Sequence, residues 1–245
     1  MCLVVALAAT AVIGGTLAYF TDTTDKNVNE FTVGNVKIDL SEPNWKGEAV
    51  LMPGASFAKD PTITVDTKSQ DCYAFLKLDM NKYVSLINLM GVDAYKNNIG
   101  SLSGTYPGFI EFVNKLANDN DLRKAVVDRW FTGIDHTAWK VMNLDEIKAA
   151  VGDAANGGNP KAISIVLGYI GEESDNGILT ANDSVTFMTK FGMPSTVTSA
   201  MFNGDDAYYI GGVSKSDFNT DKSTFKMTFT AYAIQATQIE GIDAA

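Results

Sequence analysis

The chain begins with LVVALAATAVIGGTLAYF (residues 3–20), continues with TDTTDKNVNE (21–30), and then reads FTVGNVKIDL (31–40). The last of these segments alternates apolar and polar side chains, which is typical of a half-buried strand. Its alternation slips at Gly34 and Asn35, which indicates a bulge or a tight bend. The middle segment is polar and rich in Thr, Asp and Asn, so we expect an extended or flexible connection. The sequence therefore predicts an apolar leader, a connection and then a β domain.

The apolar leader carries no charged side chain and is about as long as a bilayer span requires. A secretory signal instead has a shorter apolar region that ends in small residues at a cleavage site. Residues 3–13 fit that region, and Thr16 and Ala18 supply the small side chains before a cut. We therefore predict a signal peptide over residues 1–18, cleaved between Ala18 and Tyr19. The basic segment that usually precedes such a region is missing, so a retained membrane anchor and a buried core helix are the alternatives.

Two further stretches near the start have strand character. PTITVD (61–66) reads as a strand, and CYAFLKLDM (72–80) is apolar on both faces near its middle, which predicts a position inside a sheet. Pro53 and Gly54 suit the two central positions of a type II turn. Strands are predicted again towards the C-terminus, at residues 162–170, 184–192 and 223–235. In the last of them, strict alternation indicates a half-buried antiparallel strand.

Between these two groups of strands, residues 81–155 have a helical period. An amphipathic helix is predicted by apolar residues at spacings of three, four and seven, namely Phe109, Phe112, Val113 and Leu116. Asn120 is predicted to cap the next helix, and Asn143 with Glu146 resembles a capping box.

Strands before and after a helical region predict a mainly β fold with an insertion. We expect one antiparallel, jelly-roll-like β-sandwich over residues 31–240, in which one inter-strand connection has become a helical insertion at about 81–155. The signal peptide and an extended N-terminal segment, residues 19–30, precede this domain.

The charge of the chain excludes two classes of partner. There are 19 Lys and Arg residues against 29 Asp and Glu, a formal net charge of −10 at pH 7. Because phosphate backbones and anionic lipid surfaces repel an acidic protein, we expect no nucleic-acid partner. Membrane contact is expected only through an uncleaved signal.

His136 is the only histidine in the chain. A zinc protease of the HExxH type needs two histidines, so this residue cannot supply that site. A Ser-His-Asp site needs a carboxylate that orients the imidazole, and Asp135 is too close in sequence for that role. The sequence contains no GxSxG motif and no glycine-rich phosphate loop. We therefore predict no catalytic residue, no bound metal and no cofactor, with His136 structural or exposed.

The cysteines indicate no disulfide in the mature chain. Cys2 lies in the predicted signal, which leaves Cys72 alone. Cys72 lies in an apolar strand, where a thiol usually behaves as a small buried hydrophobe.

Acidic groups at residues 119–121, 172–175 and 205–206 lack the EF-hand spacing, and we interpret them as a helix cap and solvated loops. Tyr208 and Tyr209, beside two glycines, fit an exposed contact surface and a strand core equally well.

Four runs occur in a fixed order along the chain: GGTLAYFTDT, NVNEFTVGNVKIDL, MPGASFAKDPTITV and FKMTFTAYAIQATQ. They resemble secreted proteins of the TasA/camelysin family, in which a signal ending in a Gly-Gly-Thr-x-Ala-like run is followed by an aromatic residue and an Asp. In that family an FTxGxxxL strand, a Pro-Gly turn into a second strand, and a last strand closing on Ala-Thr-Gln follow. The resemblance covers about residues 10–80 and 178–240 and leaves 81–177 unmatched.

The resemblance implies an extracellular matrix protein, since TasA-like members assemble into biofilm filaments. It also implies that the N-terminal segment acts as a donor strand for the open sheet edge of a neighbouring copy. The candidate interface residues are Tyr19, Phe20, Thr21, Asp22 and Thr23. Because donor and acceptor are different surfaces, such a contact is head-to-tail and builds a fibre. The alternative is that this segment folds back onto its own sheet or stays disordered.

Together these features predict a secreted structural subunit at the matrix or cell surface of a bacterium. Its partners are expected to be copies of itself, with other matrix or cell-surface proteins as further partners. Two other functions stay open at this stage. One is a cell-surface metalloprotease of the camelysin type, and the other is a monomeric surface-binding module.

Overall fold

The computed structural model describes residues 21–23, 35–47, 49, 51–156, 164–171, 176–202 and 225–237. Within these residues the fold is a mixed α/β one, with several antiparallel sheets, one of them curled into a half-barrel, and four α-helices. The predicted signal peptide, residues 1–18, lies outside the described residues.

The largest sheet is built around strand β5 (Cys72–Met80), whose nine residues are those predicted from the sequence. Every second residue of β5, from Cys72 to Met80, is buried, and the sheet supplies neighbours on both sides of the strand. The prediction of an interior strand is therefore confirmed. Its physical cause is apolar density: a strand paired on both sides buries more apolar area than an edge strand does.

Strand β12 (Met227–Gln235) runs antiparallel to β5 along its whole length, with Met227 opposite Met80 and Gln235 opposite Cys72. The predicted half-buried antiparallel strand is thus confirmed. On the other side of β5 lie β8 (Ile165–Tyr169) and β9 (Ile178–Leu179). The outer strands are β1 (Thr21–Thr23) beyond β12 and β7 (Trp139–Val141) beyond β8.

Two three-stranded antiparallel sheets complete the described β structure. The first has the order β10-β4-β2, from β10 (Ser184–Thr186), β4 (Thr62–Val65) and β2 (Ile38–Ser41). The second has the order β3-β11-β6, from β3 (Ser56–Ala58), β11 (Lys190–Gly192) and β6 (Phe131–Thr132).

The prediction of one strand over residues 184–192 is wrong, because β10 and β11 belong to different sheets. Between them Phe187 and Met188 are both buried, at 5% and 0% exposure. Two consecutive buried side chains break the alternation of a half-buried strand, and the chain crosses from one sheet to the other at this point.

The helices are α1 (Tyr83–Lys96), α2 (Phe109–Asn118), α3 (Asn120–Val127) and α4 (Leu144–Ala155). All four lie between β5 and β8, so the predicted helical insertion is confirmed. The insertion also contains β6 and β7, which are too short for a periodic pattern to reveal. Because helices and strands cover comparable lengths of the described chain, a mixed fold replaces the mainly β prediction.

Both predicted helix caps are corrected. Asp119, not Asn120, caps α3: its carboxylate accepts a hydrogen bond from the Leu122 N–H at 2.9 Å. Asn143 does not form the predicted capping box with Glu146. Its amide Nδ2 instead donates to the Ser164 carbonyl at 2.8 Å, and its Oδ1 accepts from the Val166 N–H at 3.0 Å. The side-chain amide of Asn143 thus bonds the main chain at the start of β8 as a main-chain N–H and C=O of a neighbouring strand would. It extends the pairing of β7 with β8 in this way.

A partly buried ion pair inside the helical insertion is linked to the rest of the molecule through Thr196. Asp93 of α1 is fully buried, and its carboxylate accepts hydrogen bonds from Arg129 Nε and Nη2 at 3.0 and 2.9 Å. Thr196 donates its hydroxyl to the same carboxylate at 2.5 Å, and the Asn97 amide donates at 2.9 Å. Since an unpaired buried charge is costly, these contacts hold α1, the end of α3 and the turn at Thr196 together.

Next to this ion pair lies a compact aromatic core. Tyr95, Tyr106 and Phe112 meet edge to face, with ring centroids 5.8 to 6.4 Å apart. Gly91 lets the Tyr106 ring approach α1, because a Cβ at this position would lie 2.2 Å from the ring. The Tyr106 hydroxyl donates to Asn88 Oδ1 at 2.7 Å, which satisfies two polar groups inside the core.

No helix in the described part of the chain combines the length and the apolar character that crossing a membrane requires.

Candidate functional site

The candidate site is the edge of the main sheet where β1 lies. Thr21 pairs with Ile234, Asp22 with Ala233 and Thr23 with Tyr232, in antiparallel register. Three of the five predicted interface residues thus form a strand against the last strand of their own chain. Tyr19 and Phe20, together with Ala18 on the other side of the predicted cut, lie outside the described residues.

The strand that receives β1 is rigidly held from its other side. β12 pairs with β5 over nine residues, and its Ala231 and Ala233 are fully buried. By contrast, β1 faces only residues 232–234 of β12. A ladder of three residue pairs contains few hydrogen bonds, each worth on the order of 1 kcal/mol net. The attachment of β1 is therefore weak compared with the strand it attaches to.

A buried lysine lies beside the same strand. Lys59 is 7% exposed, and its ammonium lies 2.7 Å from Glu42 Oε1 and 2.8 Å from Oε2. The same ammonium lies 4.7 Å from the ring centroid of Trp45 and 5.6 Å from that of Phe229 in β12. An ammonium this close to two aromatic faces gains cation–π attraction in addition to its ion pair.

Asp60, the next residue, binds the same loop through Asn44. It is 7% exposed, and its carboxylate accepts hydrogen bonds from Asn44, from the main-chain N–H at 3.2 Å and from the amide at 2.6 Å. Together Lys59 and Asp60 hold the loop at residues 42–45 against β12. No sequence pattern predicted a role for Lys59 or Asp60; their only signal is a charged pair directly before a predicted strand.

His136 contacts a carboxylate that the sequence analysis did not identify. Its Nε2 lies 2.6 Å from Asp128 Oδ1, and both side chains reach the surface. Asp135 instead closes its own turn, accepting hydrogen bonds from Thr137 and Ala138, and those from Thr137 are the main cause that lowers the pKa of its carboxyl. No serine, threonine or cysteine of the described chain is within hydrogen-bonding distance of the imidazole.

Cys72 is fully buried, as the sequence analysis expected of a small hydrophobe. Burial, followed by the charges of Asp71 and Asp183, raises the pKa of its thiol to about 12. A thiol with this pKa holds almost no thiolate at neutral pH and is a poor nucleophile.

In the described ranges, no three His, Cys, Asp or Glu side chains come together in a way that could hold a metal ion. Of the acidic groups, Asp119 caps α3, which agrees with the interpretation of 119–121 as a helix cap. The groups at 172–175 and 205–206, and the aromatic pair Tyr208 and Tyr209, lie outside the described residues.

Comparisons with protein-family models, with curated proteins and with solved structures found no match for this chain.

Proposed function

We propose that this chain is a secreted structural subunit of an extracellular filament or biofilm matrix of a bacterium. Copies assemble head-to-tail, and the N-terminal segment of one copy pairs with the main sheet of the next. The observation that carries this proposal is the register of β1 on β12, which attaches the start of the chain to a sheet edge through main-chain pairing.

A contact of this kind can be exchanged between copies. A neighbouring copy carries the same segment and can supply the same main-chain groups to β12, as in domain swapping. The connection between β1 and the next described residues, 24–34, spans at most about 35–40 Å when fully extended, which is enough to reach an adjacent subunit. Swapping therefore needs no new interface.

The energetics also favour exchange of β1 over exchange of β12. Releasing β1 breaks a ladder of three residue pairs, whereas releasing β12 would break nine pairs and expose fully buried alanines. In the proposed fibre, β1 of one copy replaces β1 of the next, with Tyr19 or Phe20 filling a pocket beside the acceptor strand. The finer fold that accompanies this proposal is a jelly-roll-like β-sandwich.

The net charge of the subunits opposes their association. Subunits with a formal net charge of −10 repel one another, so the contact must rest on main-chain hydrogen bonds and apolar burial. Added salt screens this repulsion and is expected to favour fibres. The same edge of β12 can also pair with other matrix or cell-surface proteins, if their N-terminal segments have a similar pattern.

The test is a disulfide that locks β1 onto its own sheet. Thr23 and Tyr232 are directly opposite in the register, and facing residues of an antiparallel pair lie within the range that a disulfide bridges. Thr23→Cys with Tyr232→Cys is expected to abolish fibres under oxidising conditions and to restore them on reduction. Negative-stain microscopy of the purified mature protein gives the readout.

The matched control is Thr64→Cys with Ser184→Cys. These two residues are also direct partners in an antiparallel pair, between β4 and β10, and their side chains lie at the surface. This second lock leaves β1 free to exchange, so fibres should form in both redox states. Fibres from the oxidised β1 lock would contradict exchange at β12, and an unmodified protein that never forms fibres would contradict the filament function itself.

A further inference from the structure

A cleft of about 460 Å³ lies in the helical insertion, far from β1 in the sequence. It is bounded on one side by the loop before α2 and on the other by α2 itself and the start of α3. Its volume is within the range of small-molecule sites. None of its lining residues belongs to the β1 edge.

The loop that forms one wall of the cleft has a backbone conformation that depends on two glycines. In the run Gly-Ser-Leu-Ser-Gly at residues 100–104, Gly100 has φ +60° and Gly104 has φ +85°. A Cβ on Gly100 would lie 2.9 Å from Leu122 Cδ1, so the loop packs tightly against α3. Leu102 is 4% exposed and anchors the loop, which leaves its two serine neighbours at the surface of the cleft.

The facing wall is a polar stripe on α2. Glu111, Asn114, Lys115 and Asn118 follow one another at helical spacing and all line the cleft. Glu111 and Lys115 lie 3.9 Å apart and largely neutralise each other. Asp119 also lines the cleft, but its carboxylate is already engaged in capping α3.

Three neutral polar side chains of the cleft are free to bind a ligand. Among the described residues, the hydroxyls of Ser101 and Ser103 and the side-chain amide of Asn114 have no hydrogen-bond partner, whereas the Asn118 amide donates to the Asn114 carbonyl at 2.8 Å. All three residues are exposed. Below them, Leu102, Leu122 and Tyr95 form an apolar floor that is almost completely covered. The walls of the cleft thus offer neutral donors and acceptors, and its accessible lining is about equally polar and apolar.

We propose that this cleft binds a neutral carbohydrate. Sugar hydroxyls both donate and accept, as serine hydroxyls and asparagine amides do, and they match walls of this composition. The charged lining groups, Glu111, Lys115 and Asp119, leave an excess of one negative charge, which disfavours phosphates and acidic sugars.

A peptide ligand fits the cleft less well. The main-chain groups of α2 are bonded within the helix, so this wall offers no strand edge for an extended peptide. A helical peptide needs exposed apolar anchor pockets, and the two leucines of the floor are each 4% exposed. The free side chains that line the cleft are two hydroxyls and an amide, which favours a ligand rich in hydroxyl groups.

The test is isothermal titration calorimetry of the full chain with three neutral tetrasaccharides. Their units are β-linked glucose, β-linked N-acetylglucosamine and α-linked glucose. Saturable binding of at least one of them is expected. Asn114→Ala, and Ser101→Ala with Ser103→Ala, should each weaken that binding by about 2- to 10-fold, as expected for the loss of one or two hydrogen bonds.

Asn156→Ala is the matched control, because this exposed asparagine lies outside the cleft and should leave affinity unchanged. Circular dichroism of each variant verifies the fold. The proposal is overturned if none of the three saccharides binds, if the cleft variants bind as tightly as the unmodified protein, or if a neutral tetrapeptide binds more tightly than every saccharide.

Discussion

Strand β12 has two neighbours in the main sheet, and they hold it very differently. On one side β5 pairs with it over nine residues, and the inward side chains are buried in β5 and buried or partly buried in β12. On the other side β1 pairs with it over three residues. The first contact is part of the core, whereas losing the second breaks a ladder of only three residue pairs. This difference is what makes one edge of the sheet suitable for exchange between subunits.

The largest effect is expected from a change on the β5 side. Leu76 is fully buried in the middle of β5, opposite Ala231. Leu76→Ala should lower the free energy of unfolding by about 2–5 kcal/mol, because it removes apolar contacts and leaves a cavity. Chemical denaturation measures this loss. Thr228→Ala, on the exposed face of β12, is the control and should change stability by less than about 0.5 kcal/mol.

Removing the β1 side should affect assembly far more than stability. Deletion of residues 19–30 removes β1 and leaves β12 paired with β5, so the body should stay folded. Fibres should disappear in negative stain, because the acceptor edge then has no donor. Proline at Thr21 or Thr23 should act in the same direction but more weakly, since it removes one main-chain donor. Normal fibres from the truncated protein would instead direct attention to the helical insertion as the contact surface.

A smaller effect is expected on the outward face of β5. Burial alone would raise the pKa of Asp79, but hydrogen bonds from Ser164 and Lys77 outweigh burial and lower it below its usual value. A lowered pKa in the folded state stabilises the protein above the pKa of the unfolded chain, about 3.9, and this contribution disappears as the pH falls through the folded value.

Asp79→Asn should therefore lower the thermal midpoint near neutral pH, and the difference from the unmodified protein should shrink below about pH 4. Solvent screens this partly exposed pair, so the effect should be well below that of Leu76→Ala. Thr228→Ala, at the position opposite Asp79 on β12, carries no titrating group and gives the baseline. A difference that stays constant from neutral to acidic pH would contradict the electrostatic origin.

The smallest effect is expected away from both edges, at His136. Its ion pair with Asp128 is close to the surface, and such pairs contribute at most about 1 kcal/mol. His136→Ala should therefore leave folding and fibre formation nearly unchanged. Assays of the purified variant with peptide substrates, with and without a chelator, extend the test to catalysis. Loss of a chelator-sensitive peptidase activity in a folded variant would favour the metalloprotease alternative over the filament function.

Several parts of the fold could be predicted from the sequence because they depend on local chain geometry. The bounds of β5 followed from its apolar density, and the alternation of β12 indicated a half-buried strand. Pro53 and Gly54 form the predicted turn: Gly54 has φ +80°, and the Ala55 N–H donates to the Met52 carbonyl at 2.9 Å. In each case the residues that carry the signal are close together in the chain.

The candidate site was predictable only in part. Composition and resemblance directed attention to residues 19–23, but the register of Thr21–Thr23 on β12 depends on where the last strand of the chain lies. Likewise, Lys59 becomes a buried cation only because Glu42, Trp45 and Phe229 are brought around it from three parts of the chain. No periodicity within a short window contains that information.

The sequence by itself determined the helical region between two groups of strands, the interior position of β5, the acidic charge and the presence of a single histidine. Only the tertiary structure decided that residues 184–192 divide between two sheets, that Asp119 caps α3, and that His136 pairs with Asp128. The physical reason is the range of the interactions. Side-chain periodicity reports the local backbone, whereas sheet membership and ion pairing depend on packing between segments that are distant in the chain.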